Sequence, residues 1–153
     1  MTVTQPWLAH YDPNVPADQP LFGSPDGVWA DADGRIWIQT DVSNSSQNLA
    51  TRGYDNIKNN QMLVGDPDTG EIRRFLTGPR GCEITGVITT PDQRTMFVNV
   101  QHPGESTTFW NTPSAPSTSN PTAVSTWPEG PGAARPRPAT VVIRKLDGGK
   151  IGT

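Results

Sequence analysis

The stretch Ser24-Pro25-Asp26-Gly27-Val28-Trp29-Ala30-Asp31-Ala32-Asp33-Gly34-Arg35-Ile36-Trp37-Ile38-Gln39-Thr40-Asp41 decides the fold class. Two short apolar runs, Gly27–Ala30 and the centre of Arg35–Thr40, flank a tight Asp-Ala-Asp-Gly turn. Branched and aromatic residues suit a pleated, half-buried surface, and runs this short bounded by turn residues read as strands. Gly34 is free to take the positive φ that such a turn needs, so the stretch reads as a β-hairpin. A polar loop, 41–60, follows. A second hairpin comes next: Gln61–Gly65, the turn Asp66-Pro67-Asp68-Thr69-Gly70, and Glu71–Leu76. Four strands in up-and-down order form one propeller blade.

The pattern then recurs. Ile84–Thr89 and Arg94–Val100 read as strands around the turn Pro91-Asp92-Gln93. Gly27 matches Gly86, Asp33 matches Asp92 and Arg35 matches Arg94, each at an offset of 59 residues. A repeat of this kind indicates an array of similar units, with the 41–60 loop accounting for its length. Residues 103–138 are a Pro/Ser/Thr-rich insert around Trp110 and Trp127. Ala139–Lys145 is a further strand, and Leu146–Lys150 a turn. The expected architecture is all-β: a partial β-propeller of about two blades of four-stranded antiparallel sheet over residues 23–153. Its second blade has three strands and the stub of a fourth, and residues 1–22 form an extended connector. Propellers typically close with about 4–8 blades. Two blades would leave two apolar flanks, which a soluble monomer rarely exposes, so either further blades or self-association is expected.

Composition narrows the function classes. The chain has 16 Pro and 15 Gly, and only 33% of its residues are hydrophobic, which argues against a helical bundle. With 12 basic and 15 acidic residues, a net charge of −3 and no basic patch, nucleic acid is not an expected partner. The lone Cys82 excludes an intrachain disulfide framework. No apolar run approaches the roughly 20 residues that span a bilayer. The start at Met1 has neither a basic segment nor an apolar one, so no signal peptide is visible. The expectation is that the natural start lies upstream. There is no Gly-x-Ser-x-Gly elbow, P-loop, His-Glu-x-x-His or dinucleotide fingerprint.

Several segments resemble PhoX-type alkaline phosphatases: Ser24–Asp31, Gly34–Asp41, Gly81-Cys82-Glu83-Ile84-Thr85-Gly86, and Met96–Glu105 with its Gln101-His102-Pro103-Gly104-Glu105 run. The ending from Arg135 to Ile143 is similar too. The resemblance covers roughly residues 20–153, and the Gln-His-Pro-Gly-Glu and Trp-Ile-Gln-Thr-Asp runs are its most specific parts. It implies a six-bladed propeller, periplasmic or secreted. It also implies hydrolysis of phosphate monoesters with calcium and iron held in the central channel. This chain would supply the C-terminal blades alone. The family's iron-binding cysteine would lie in segments absent here, so the isolated chain is expected to be inactive.

Phosphate ester hydrolysis needs cations to neutralise the phosphoryl oxygens and position the attacking oxygen, and calcium takes several hard oxygen ligands. Asp26 and Glu83 each precede the first strand of a repeat and are the leading candidate metal ligands. Asp26 is alternatively a turn residue, and Glu83 a salt-bridge partner of Arg80 or Arg94. Asp41, at the end of the second strand, is a third candidate ligand or the cap of an Asx turn. Arg80 is a candidate phosphate contact through its guanidinium fork, or a surface residue. His102 is a candidate proton donor, metal ligand or substrate contact, or a structural donor. His10 reads as exposed. Cys82 reads as a small buried hydrophobe. The Asp31–Gly34 and Asp66–Gly70 segments read as turns, since neither has a full calcium-loop pattern. Two other functions fit the same residues: a non-catalytic propeller segment acting as an interaction module, and a calcium-dependent lactonase-like propeller.

Overall fold

The computed structural model describes residues 22–47, 51, 54, 57, 59–105 and 116–153. The connector, apart from Phe22, and with it His10, lies outside those residues, as does Trp110. Seven strands are present: β1 (Pro25–Ala30), β2 (Ile36–Thr40), β3 (Gln61–Gly65), β4 (Ile72–Thr77), β5 (Glu83–Thr89), β6 (Met96–Gln101) and β7 (Ala139–Ile143). They form two antiparallel sheets, β1-β2-β3-β4 and β5-β6-β7. No helix among the described residues is long and apolar enough to cross a membrane.

The first hairpin closes as its sequence dictates. Asp31 N–H donates to the Arg35 carbonyl at 3.0 Å, Gly34 N–H to the Asp31 carbonyl at 3.1 Å, and Gly34 has φ +87°. Trp29 then pairs with Trp37 and Val28 with Ile38. The Asp31 carboxylate is consumed locally. It accepts from Asp33 N–H, Arg35 N–H and Nε, and the Trp37 indole N–H, at 2.7–3.0 Å. Asp66 likewise accepts from Asp68 N–H at 2.8 Å. Both segments are hairpin turns.

Side chains alternate across a strand, so each sheet offers one face to the other. Trp37 and Met62 of the first sheet and Ile84, Val87, Met96 and Val98 of the second form one buried cluster. Trp37 meets Phe75 edge-on, with centroids 4.9 Å apart and planes at 89°. From the insert, Trp127 packs against this cluster.

Two details depart from the sequence reading, and a third places the insert. First, β1 and β5 each begin earlier than expected, at Pro25 and Glu83, and each carries a bulge, between Pro25 and Gly27 and between Thr85 and Val87. The residues skipped by the register are Asp26 and Gly86. Second, the Asp147-Gly-Gly segment stops the pleat after β7, and the second sheet gains no fourth strand among the described residues. The tail instead folds back between the two hairpin tips. Ile151 is buried and its N–H donates to the Gln93 carbonyl at 2.9 Å, while Lys150 Nζ reaches Asp33 at 3.0 Å. Third, part of the insert covers the His-Pro-Gly turn, where Pro136 lies against Gly104.

The strand ends opposite the hairpin tips therefore converge. The start of β1, the end of β2, the start of β5 and the end of β6 lie at one end of the two sheets.

Candidate metal centre

Each candidate donor sits at a strand terminus, for a local reason. Glu83 opens β5 and pairs across the ladder with Gln101, the last residue of β6. His102 follows at φ +36° and Gly104 at φ +83°, which turns the chain sharply. That turn is zipped onto the loop ahead of β5. Gly104 N–H donates to the Arg80 carbonyl at 2.8 Å, and Glu105 N–H to the Gly81 carbonyl at 3.2 Å. Gly81 sits at φ +67°, and a Cβ there would run into the Glu105 backbone, so only glycine permits the approach.

The zip carries His102 over Glu83. One donor atom from each of Asp41, Glu83 and His102 lies within 4.8 Å of the others. Glu83 is 8% exposed. It faces His102 Nε2 at 3.4 Å and accepts from Gln101 Nε2 at 2.7 Å. On the far side of the ring, His102 Nδ1 is 3.4 Å from Glu105 and 3.3 Å from the Gly81 carbonyl. Burial raises the Glu83 carboxyl above its ordinary value, the Asp41 charge raises it further and Asp26 adds to this, while His102 pulls it down. Carboxylates crowded in this way favour a cation among them. The Glu83 partners are thus His102 and Gln101, while Arg94 sits in the next hairpin turn, its N–H on Asp92.

The donor set fits a hard cation. Two carboxylates suit calcium, and carboxylates with an imidazole also suit iron. Calcium takes about 6–8 oxygens, so water or other protein groups would complete it. Cys82 is buried beside this site, and burial first, then the nearby Glu83 and Asp41 charges, push its thiol up to about 12. Without metal it is a protonated, buried core group against Gly78.

The family described as alkaline phosphatase PhoX matches residues 9–104, more than half of the chain. The chain belongs to this family. Among solved structures, Pseudomonas fluorescens PhoX in complex with vanadate, a transition state analogue, is similar at 43% identity and a TM-score of 0.69. That alignment covers 86% of this chain but 19% of the Pseudomonas chain, so the present chain spans about a fifth of that relative's length. No curated protein matches.

Of the residues singled out for chemistry within this PhoX-family chain, Asp41, Glu83 and His102 come together. Asp26 is exposed at its bulge and near enough to raise Glu83. Arg80 is exposed, on the loop ahead of β5 and three residues before Glu83. Sequence reasoning passed over Gln101 and Glu105, although both stand in the Gln-His-Pro-Gly-Glu run. It also passed over Asn60, hidden among the asparagines of the 41–60 loop.

Proposed function

We propose that this chain forms the C-terminal portion of a metal-dependent phosphomonoesterase and contributes Asp41, Glu83 and His102, with Asp26 beside them, to a calcium and iron centre. The observation that carries the reading is the buried Glu83, whose carboxyl is raised by its surroundings and which lies within 4.8 Å of a second carboxylate and an imidazole. Family membership supplies the reaction class. When bound, the metals would neutralise phosphoryl oxygens and orient the attacking oxygen. Asp41 and Glu83 hold the positive charge in place, and Gln101 and Glu105 fix the Glu83 carboxylate and the His102 ring. His102 then turns its Nε2 edge toward Glu83 and the cation, as a ligand or proton donor. Arg80, on the adjoining loop, is the candidate fork for a non-bridging phosphate oxygen.

The outer faces support a larger assembly. Val28 is 65% exposed, Ile88 59% and Val142 55%, on the flanks of the two sheets. Such faces suit packing against the remaining blades of a propeller. The complete protein would act in the periplasm or outside the cell, as the family resemblance implies. The test is calcium titration of the 153-residue chain by calorimetry, with p-nitrophenyl phosphate hydrolysis measured for it and for a longer chain carrying the remaining blades. Expected are calcium binding by the short chain, turnover by the long one, and loss of both with Glu83→Gln. Turnover by the long chain that Glu83→Gln leaves unchanged would remove this site from the reaction.

A further inference from the structure

We propose that Asn60 is a positioning residue that sets the spacing between Asp41 and Glu83, and with it the size of cation they accept. The proposal rests on the metal-centre reading above. Asn60 is fully buried, at 0% exposure. Its side-chain oxygen accepts from Thr40 Oγ1 at 2.9 Å and from Val42 N–H at 2.7 Å. Its amide nitrogen donates to the Cys82 carbonyl at 2.9 Å and to the Val42 carbonyl at 3.3 Å. An asparagine amide offers two donors and one oxygen with two lone pairs, so its capacity is fully used. The backbone carbonyl also accepts from Gly78 N–H at 2.9 Å.

The partners matter more than their number. Thr40 and Val42 flank Asp41, and Cys82 immediately precedes Glu83. One carboxamide therefore ties the end of β2, 18–20 residues before it, to the start of β5, whose Cys82 lies 22 residues after it. It bridges the two sheets at the level of the carboxylates. Aspartate has no donor for Cys82, and glutamine is one methylene too long for the same span. Thr40 Oγ1 extends the network by accepting from Gln61 N–H at 2.9 Å. Calcium sits about 2.3–2.6 Å from its oxygens and magnesium about 2.0–2.1 Å with near-ideal octahedral demands. A fixed carboxylate spacing discriminates between them.

The test titrates calcium alone and magnesium alone into the wild-type chain, Asn60→Asp, the milder Thr40→Val, and Val98→Ala as a control in the core. Folding of each is checked by circular dichroism and thermal unfolding without metal. Expected for Asn60→Asp is a roughly tenfold or larger loss of calcium affinity, in the range typical of groups that orient metal ligands. A smaller loss is expected for Thr40→Val. The ratio of calcium to magnesium affinity should fall in both variants, while Val98→Ala lowers the melting temperature and leaves that ratio alone. If the wild type binds calcium and both clamp variants keep its affinity and its selectivity, the Asn60 role is overturned while the metal centre stands. Where only the longer chain carrying the remaining blades binds calcium, the same variants are read there; absence of cation binding by the wild type in both chains would overturn the metal-centre reading, and Asn60 with it.

Discussion

Glu83→Gln should make the metal-free protein more stable and the calcium-bound protein less so. At neutral pH the Glu83 and Asp41 carboxylates stand at most 4.8 Å apart. Two like charges at that distance repel by about 0.9 kcal/mol at the dielectric of water and about 3.5 kcal/mol at an effective dielectric near 20. Asp41 is exposed, so solvent screening brings the figure towards the lower limit, about 1 kcal/mol. Glutamine is isosteric and retains an oxygen for the Gln101 amide, which donates at 2.7 Å in the wild type. Its removal of the charge should raise the metal-free melting point by about 2–4 °C for a domain of this size. With calcium at a hundred times its dissociation constant the wild type gains about 2.7 kcal/mol, and Glu83→Gln should gain little of this.

The pH dependence has a definite sign. Glu83 has a folded-state value above its ordinary one, so the native state holds its proton more tightly than the unfolded chain does. Its share of stability is present at low pH and is lost as pH rises from the ordinary value through the raised one. The advantage of Glu83→Gln should therefore vanish in acid and be complete at neutral pH. Differential scanning calorimetry at pH 4 and pH 7.5, with calcium and with chelator, measures all of this. A Glu83→Gln protein that melts lower than the wild type in chelator and responds equally to calcium would refute the charge-crowding argument.

Asp31→Asn should destabilise the chain by about 3 kcal/mol, because it breaks a buried ion pair with Arg35 and a bond from the Trp37 indole. Burial pushes the Asp31 carboxyl up, but the Trp37 and Arg35 hydrogen bonds outweigh it and hold it below its ordinary value. Its stabilisation is thus present above that ordinary value and is lost as pH falls through the lowered one, so acid unfolding followed by fluorescence should be shallower in the variant. Ile151→Ala should cost about 2 kcal/mol of buried contact, lowering the melting temperature by roughly 4–8 °C while calcium affinity is unchanged. Cys82, with a thiol pushed up to about 12, should resist thiol reagents in the native chain at pH 8 and react at once in denaturant; rapid native labelling would contradict its burial.

Much of the fold could be read from the chain before any coordinates. The Asp31–Gly34 and Asp66–Gly70 turns, the paired apolar runs and the 59-residue offset depend on neighbours a few residues apart, where glycine, proline and branched side chains have strong local preferences. From these followed the strands of both sheets, and the Gln-His-Pro-Gly-Glu and Trp-Ile-Gln-Thr-Asp runs pointed to the family. Neither the bulge that exposes Asp26 nor the return of Ile151 between the hairpin tips was legible, because each answers to a partner strand or a distant turn. The same holds for the gathering of Asp41, Glu83 and His102. It needs the two sheets to close on Trp37 and Ile84, Gly81 to admit the Glu105 backbone, and Asn60 to span from β2 to β5. Local conformational preference decides where strands form; which strand ends meet depends on long-range packing, and that is decided in three dimensions.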